Sequence, residues 1–257
     1  MAEWTLITGA SKGLGAEFAQ LAARHGRKMI LTARSADLLE AQADTLRANG
    51  AEVVVIPADL SDLAEADRLW AEATKDRQVD FLINNAGLGS HGPFADPDSW
   101  DRELSSINVN MRTLTRLMKL AIPPMQTQQR GRILNVASTI GFLPGPNMAV
   151  YAATKAYVLH LSEAVAHELR GTPVTVTAFC PGATQTNFFD DGDMHGTRLL
   201  TMTPIADAAK VAAAGWQAAI GGRAVAVPGA MNAVFANLPR LFPRAITTRV
   251  SGLFLGK

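Results

Sequence analysis

The stretch Trp4-Thr-Leu-Ile-Thr-Gly-Ala-Ser-Lys-Gly-Leu-Gly15 reads as a buried strand, a glycine turn and the start of a helix. Residues 4–8 form a short apolar run, and the pattern beyond Gly15 is helical through about Arg24. A strand that feeds a helix through glycines makes a phosphate site. Glycines let the backbone approach a pyrophosphate, and the helix N-terminus offers free N–H groups and the positive end of its dipole. Gly9, Ser11, Lys12, Gly13, Leu14 and Gly15 are therefore the candidate pyrophosphate loop. The spacing G-x-x-x-G-x-G differs from the G-x-G-x-x-G fingerprint, and a bare tight turn is the alternative reading.

The alternation continues down the chain. Residues 28–32, 52–57, 79–83, 132–137 and 174–180 read as buried strands. Helical patterns cover 36–49, with Gly50 as C-cap, then 98–121, ended by Pro123-Pro124, and 151–170. Strands alternating with helices predict an α/β fold with a parallel sheet covered on both faces, in one domain spanning 1–257. Such sheets bind ligands at the carboxyl ends of their strands, where Gly9, Arg34, Asp59, Asn85, Ser138 and Pro181 all fall.

Each strand end carries its own hint. After 28–32, where a dinucleotide enzyme using NAD places a carboxylate for the ribose 2′-hydroxyl, the chain has Ala33-Arg34-Ser35. Arg34 and Lys12 without a carboxylate suit a 2′-phosphate, hence NADP(H), unless both are simply solvated. Asp59, followed by Leu60, either binds an adenine amino group or caps the next helix, as Ser61 or Asp62 also could. In Asn84-Asn-Ala-Gly87 the small residues would let backbone at Asn85, Ala86 and Gly87 lie flat on a cofactor and the asparagines could tie strands together, with a bare turn as the alternative. Asn110 sits mid-helix, where propensity disfavours it, which marks either an inward polar task or an exposed accident.

A second stretch, Ser138 to Lys155, carries chemistry. Tyr151 and Lys155 share a helix face, one turn apart. A free tyrosine has a pKa of about 10, too high for neutral-pH acid–base work, and a neighbouring lysine cation favours its phenolate. A hydroxyl donor at Ser138, a tunable phenol and a cation suit carbonyl reduction or alcohol oxidation.

Composition narrows the class. Hydrophobic residues at 48% and charged residues at 18% are those of a globular protein, and a net charge of +1 gives no argument for nucleic acid. Cys180 is the only cysteine, so no internal disulfide forms, and its apolar neighbours make it a packed thiol rather than a nucleophile. No signal peptide pattern precedes the first strand, and no run of about 20 apolar residues could span a bilayer. The expectation is a cytoplasmic enzyme.

Taken together, these motifs resemble the short-chain dehydrogenase/reductase family, in its classical branch. Thr8-Gly-Ala-Ser-Lys-Gly-Leu-Gly15, Asn84-Asn-Ala-Gly87, Asn110, Ser138, Tyr151-Ala-Ala-Thr-Lys155 and Pro181-Gly182 stand in family order and spacing, over roughly residues 5–188. The resemblance implies a Rossmann-like, seven-stranded doubly wound sheet with cofactor and substrate in one domain. It implies Tyr151 as general acid/base, and Ser138 bonded to the substrate oxygen. Lys155 would hold the nicotinamide ribose and lower the tyrosine pKa, and Asn110 would hold a proton-relaying water. Thr186 would anchor the nicotinamide carboxamide, with Thr184 as helper. Thr113 departs from the family's glycine at that position. The implied protein is an NADP(H)-dependent carbonyl reductase/alcohol dehydrogenase, a homodimer or homotetramer. The rival is a redox sensor that binds NADP(H) without turnover, which has no need of Asn110, Ser138, Tyr151 and Lys155 together.

Two segments bear on the substrate. Residues 187–203 read as a lid whose Phe188, Phe189, Met194, Leu199 and Met202 line an apolar pocket, and the tail resembles that of relatives acting on apolar ketones. Asp190, Asp191, Asp193 and His195 fit no metal-site spacing, so no metal is expected. His91 either faces substrate or is a solvated loop histidine. After Asp207 no acidic residue follows, while Lys210, Arg223, Arg240, Arg244, Arg249 and Lys257 remain. The segment 230–257 is expected to cover the substrate cleft; peripheral contact with an anionic membrane is the less favoured reading.

Overall fold

The computed structural model describes residues 3–186 and 205–256. Seven parallel strands form one sheet: β1 (Trp4–Thr8), β2 (Lys28–Thr32), β3 (Val53–Val55), β4 (Val79–Asn84), β5 (Gly131–Val136), β6 (Val174–Phe179) and β7 (Val225–Ala226). Their order is β3-β2-β1-β4-β5-β6-β7. The winding reverses between β1 and β4, which makes a crevice at the carboxyl ends of those two strands. Both faces of the sheet are buried, so the strands are apolar runs rather than alternations.

Helices α1 (Gly13–Arg24), α2 (Ala36–Ala48) and α7 (Ala208–Ile220) cover one face through Phe18, Leu39, Leu46 and Trp216. Helices α3 (Leu63–Thr74), α5 (Leu114–Thr127) and α6 (Ala149–Glu168) cover the other through Leu69, Leu117, Met118 and Val158. Helix α4 (Trp100–Ile107) leads into α5, and α8 (Ala230–Asn237) and α9 (Arg244–Leu255) close the chain.

The expected helix over 98–121 is four pieces: a short 3-10 turn at Pro97–Ser99, α4, a π-helical turn at Asn108–Thr113, and α5. Pro123 and Pro124 do not end that helix; it continues to Thr127. Ala121 and Met125, one turn apart and fully buried, hold it in place. The Thr127 hydroxyl donates to the Pro123 carbonyl and the Gln128 N–H to the Pro124 carbonyl. Strand β3 is shorter than the expected 52–57. The lid residues and their Asp190, Asp191, Asp193 and His195 lie outside the described residues.

Candidate active site

The glycine loop leaves β1 at Gly9, whose φ of +64° is the left-handed region open to glycine. A Cβ at Gly15 would lie 2.0 Å from the Gly9 carbonyl oxygen, so the helix can approach the loop only without a side chain there. Lys12 occupies the N-cap of α1 with no side-chain cap, and the first turn carries no acid. The leading N–H groups of α1 therefore point into the crevice with the helix dipole behind them, a donor set that fits a diphosphate. A Cβ at Gly13 would lie 3.2 Å from Thr186, which places the glycine loop against the segment after β6.

At the adjoining strand ends Arg34 is exposed beside Asp59. The Asp59 carboxylate accepts from the Ser61 N–H at 3.0 Å and the Ser61 hydroxyl at 2.8 Å. That N–H first, then the hydroxyl and the Arg34 charge, hold its carboxyl below the usual range. Asp62, not Asp59 or Ser61, caps α3 by accepting from Ala64. Thr113, where the family has glycine, donates its hydroxyl to the Leu60 carbonyl at 2.8 Å and so fits the packing.

The asparagines pin strands. Asn85 Nδ2 donates to the Thr8 carbonyl at 2.9 Å and the Gly9 carbonyl at 3.1 Å, while the Thr8 hydroxyl accepts from the N–H groups of Asn85 and Ala86. Asn84 Nδ2 donates to Asn135 Oδ1 at 2.9 Å. With its amide occupied, Asn85 offers a ligand its backbone, as do Ala86 and Gly87.

Ser138 follows β5 and Tyr151 lies in the first turn of α6, and their hydroxyls are hydrogen-bonded. Burial pushes the phenol above its ordinary range, and the Ser138 bond only partly offsets this. In the protein alone Tyr151 is thus a protonated donor, the opposite direction from the lowering expected of Lys155. The reason is solvation: Tyr151 is buried, with Lys155 Nζ over its ring at 5.8 Å from the centroid. Burial brings the ammonium itself down to about 8. Nζ donates to the Val136 carbonyl at 2.8 Å.

Asn110 has the inward task. Its Oδ1 accepts from the Leu88 N–H at 2.9 Å; its Nδ2 reaches the Leu88 carbonyl, Ser106 Oγ and Thr154 Oγ1. Thr154 in turn donates to the Tyr151 carbonyl at 2.8 Å. A Cβ at Gly87 would lie 3.3 Å from both Asn110 Oδ1 and Lys155 Nζ, so these groups converge on one point. Thr154 and Ser106 went unrecognised in the sequence; Thr154 was visible only as a hydroxyl beside the lysine in Y-A-A-T-K.

Beyond β6, Pro181 accepts from the Thr139 N–H at 2.9 Å. Thr184 donates to the Gly182 carbonyl at 3.0 Å, and Thr186 lies next to it with its hydroxyl 3.4 Å from the Thr184 carbonyl. A Cβ at Gly182 would strike Asn232 of α8 at 2.6 Å. His91 is half-buried rather than a solvated loop residue: its Nε2 is 2.9 Å from the Leu255 carbonyl of α9. Leu255 packs with Met148 and Tyr151, so the end of α9 reaches the residue that carries the phenol. Cys180 is fully buried, and burial pushes its thiol up to about 12, which suits packing rather than nucleophilic work. Among the described residues no cluster of His, Cys, Asp and Glu could hold a metal.

A doubly wound sheet with a glycine-loop phosphate site and a serine–tyrosine–lysine cluster at its strand ends defines a pyridine-nucleotide oxidoreductase. The family model for the short chain dehydrogenases matches residues 3–194, and the chain belongs to that family. It is 34% identical over 183 residues to oxidoreductase UcpA of Salmonella typhimurium, across 70% of this chain and 69% of that protein. A short-chain dehydrogenase from Sphingobium yanoikuyae in complex with NADPH is similar at a TM-score of 0.84 and 30% identity, over 93% of this chain and 92% of that one. A short chain dehydrogenase/reductase from Burkholderia phymatum in complex with NAD is similar at a TM-score of 0.84 and 27% identity, over 93% of each chain.

Proposed function

We propose that this chain is an NADP(H)-dependent oxidoreductase that interconverts a carbonyl and a secondary alcohol on an apolar small molecule. The observation that carries the reading is the Tyr151–Ser138 hydrogen bond beside Lys155, at the crevice below the glycine loop.

Residues 9–15 hold the pyrophosphate. Arg34 and Lys12 hold the 2′-phosphate, since Ala33-Arg34-Ser35 after β2 supplies no carboxylate for a ribose hydroxyl; Asp59 and Leu60 flank the adenine. Backbone at Asn85, Ala86 and Gly87, with Pro181, Gly182, Thr184 and Thr186, beds the nicotinamide end, and Tyr151 and Lys155 hold its ribose. When bound, the nicotinamide supplies or accepts the hydride. Tyr151, kept protonated by its burial, gives its Oη proton to the carbonyl oxygen as negative charge develops there. Ser138 donates to the same oxygen and steadies it. Lys155 places a cation close to the ribose and the phenol. The side-chain donors of Asn110 are committed, so a relayed water at this residue belongs on its main-chain carbonyl.

Exposed Trp100 and Leu104, one turn apart on α4, supply an apolar stripe for a homodimer or homotetramer, which light scattering would detect. The functional test is nucleotide oxidation with a panel of apolar ketones, NADPH against NADH. Preference for NADH would overturn the 2′-phosphate assignment, and tight NADPH binding without turnover on any ketone would favour the sensor.

A further inference from the structure

The last two helices each present two faces. On α9, Ser251 and Leu255 are buried; the Ser251 hydroxyl donates to the Pro144 carbonyl at 2.6 Å, and Leu255 packs on Tyr151. The opposite side carries Ile246, Arg249, Val250 and Leu253, all exposed, which at about 3.6 residues per turn fall on one stripe. On α8, Ala236 turns inward while Met231, Val234 and Phe235, with Leu238 just past its end, are exposed at the i, i+3, i+4, i+7 spacing of a single apolar face. Leu241 and Phe242 join the two stripes, and Leu241 is 78% exposed. Nine of the fifteen exposed large apolar side chains among the described residues lie between Met231 and Leu253. Scattered singly they would need no account; gathered in one segment they do.

The charge on this segment has one sign. Arg240, Arg244 and Arg249 are exposed, none pairs with a carboxylate among the described residues, and no acidic residue follows Asp207. A two-fold contact with a second copy through this face would set arginines against arginines, a like-charge arrangement that costs affinity. An anionic lipid surface complements both properties: its acyl boundary takes the apolar stripe and its headgroups take the arginines. We infer that α8, α9 and the Leu238–Leu241 turn between them dock the protein on an anionic bilayer, lying in the interface. No helix among the described residues is long and apolar enough to cross one. The inference is independent of the catalytic reading, although the docking helix is also a wall of the site.

The test is flotation of the full chain with vesicles of phosphatidylglycerol and phosphatidylcholine, against phosphatidylcholine alone. The protein floats with the anionic vesicles at low salt and is released at high salt. Arg240→Gln/Arg244→Gln/Arg249→Gln weakens binding by about fivefold per arginine. Leu241→Ser/Phe242→Ser abolishes flotation, while both variants keep wild-type circular dichroism and thermal midpoint. Wild-type protein that stays at the bottom with anionic vesicles at low salt overturns the inference, as does undiminished flotation of the triple arginine variant. If the wild type fails to float and Leu241→Ser/Phe242→Ser lowers the mass seen by light scattering, the face belongs to a second copy.

Discussion

Asn110 Nδ2 lies 2.9 Å from Thr154 Oγ1, and the Thr154 hydroxyl donates a hydrogen bond to the Tyr151 carbonyl one turn earlier in α6. Two helices that approach from different parts of the chain are thereby keyed at the residue carrying the phenol. Thr154→Val keeps the shape and removes the link. The expected result is a fall in kcat of about tenfold through misplacement of the phenol, with KM for the nucleotide nearly unchanged. Steady-state kinetics check this, and Thr154→Ser should restore the rate.

Lys155 gives a pH dependence. With burial bringing it to about 8, its charge is complete well below that pH and lost above it. The kcat/KM for NADPH, which reports the free enzyme, should fall as pH rises through about 8, and Lys155→Arg should lack that limb. The folded value lies below the ordinary 10.5, so between the two the unfolded chain binds more protons. This residue's contribution to stability therefore rises with pH across that window, a slope in urea midpoints that Lys155→Met should remove.

Arg34 tests the cofactor assignment. Arg34→Asp replaces a cation with the carboxylate that a ribose 2′-hydroxyl would use. The NADPH-to-NADH ratio of kcat/KM should drop by about tenfold to hundredfold, the scale of one charged hydrogen bond. An unchanged ratio would show that Arg34 is a solvated surface charge.

The amino ends of the central strands test stability apart from activity. Arg27, with a side chain only 8% exposed, joins Asp80, Glu3 at 2.8 Å and the Thr5 hydroxyl at 2.6 Å. Arg27→Leu leaves Asp80 buried with little compensation and should cost about 3–5 kcal/mol in urea denaturation. Arg27→Leu/Asp80→Leu should regain much of that loss, and neither should alter the site at the far strand ends.

The sheet was legible because a strand buried on both sides is an unbroken apolar run, so the residues at strand ends could be placed from sequence. Strand β7, two residues long, gives no such run. Local rules failed where packing outweighed them: proline predicts a stop at residue 123, but the burial of Ala121 and Met125 carries the helix onward. The π-turn at Asn108–Thr113 has no periodic signature, and the awkward mid-helix position of Asn110 points only to an inward polar task or an exposed accident. Thr154, Thr113 and His91 act through partners far along the chain, and spacing cannot reveal those. Burial raises the Tyr151 phenol in the protein alone, and complete burial, unlike proximity to lysine, is not visible in sequence.

The most direct test of the account is NADPH oxidation by wild type and Tyr151→Phe on the best ketone of the panel, with nucleotide affinity measured on both by fluorescence titration. The account predicts turnover by wild type, near-complete loss in Tyr151→Phe, and NADPH affinity largely retained. Intact turnover in Tyr151→Phe would contradict it, because the proton would then reach the substrate oxygen from another group.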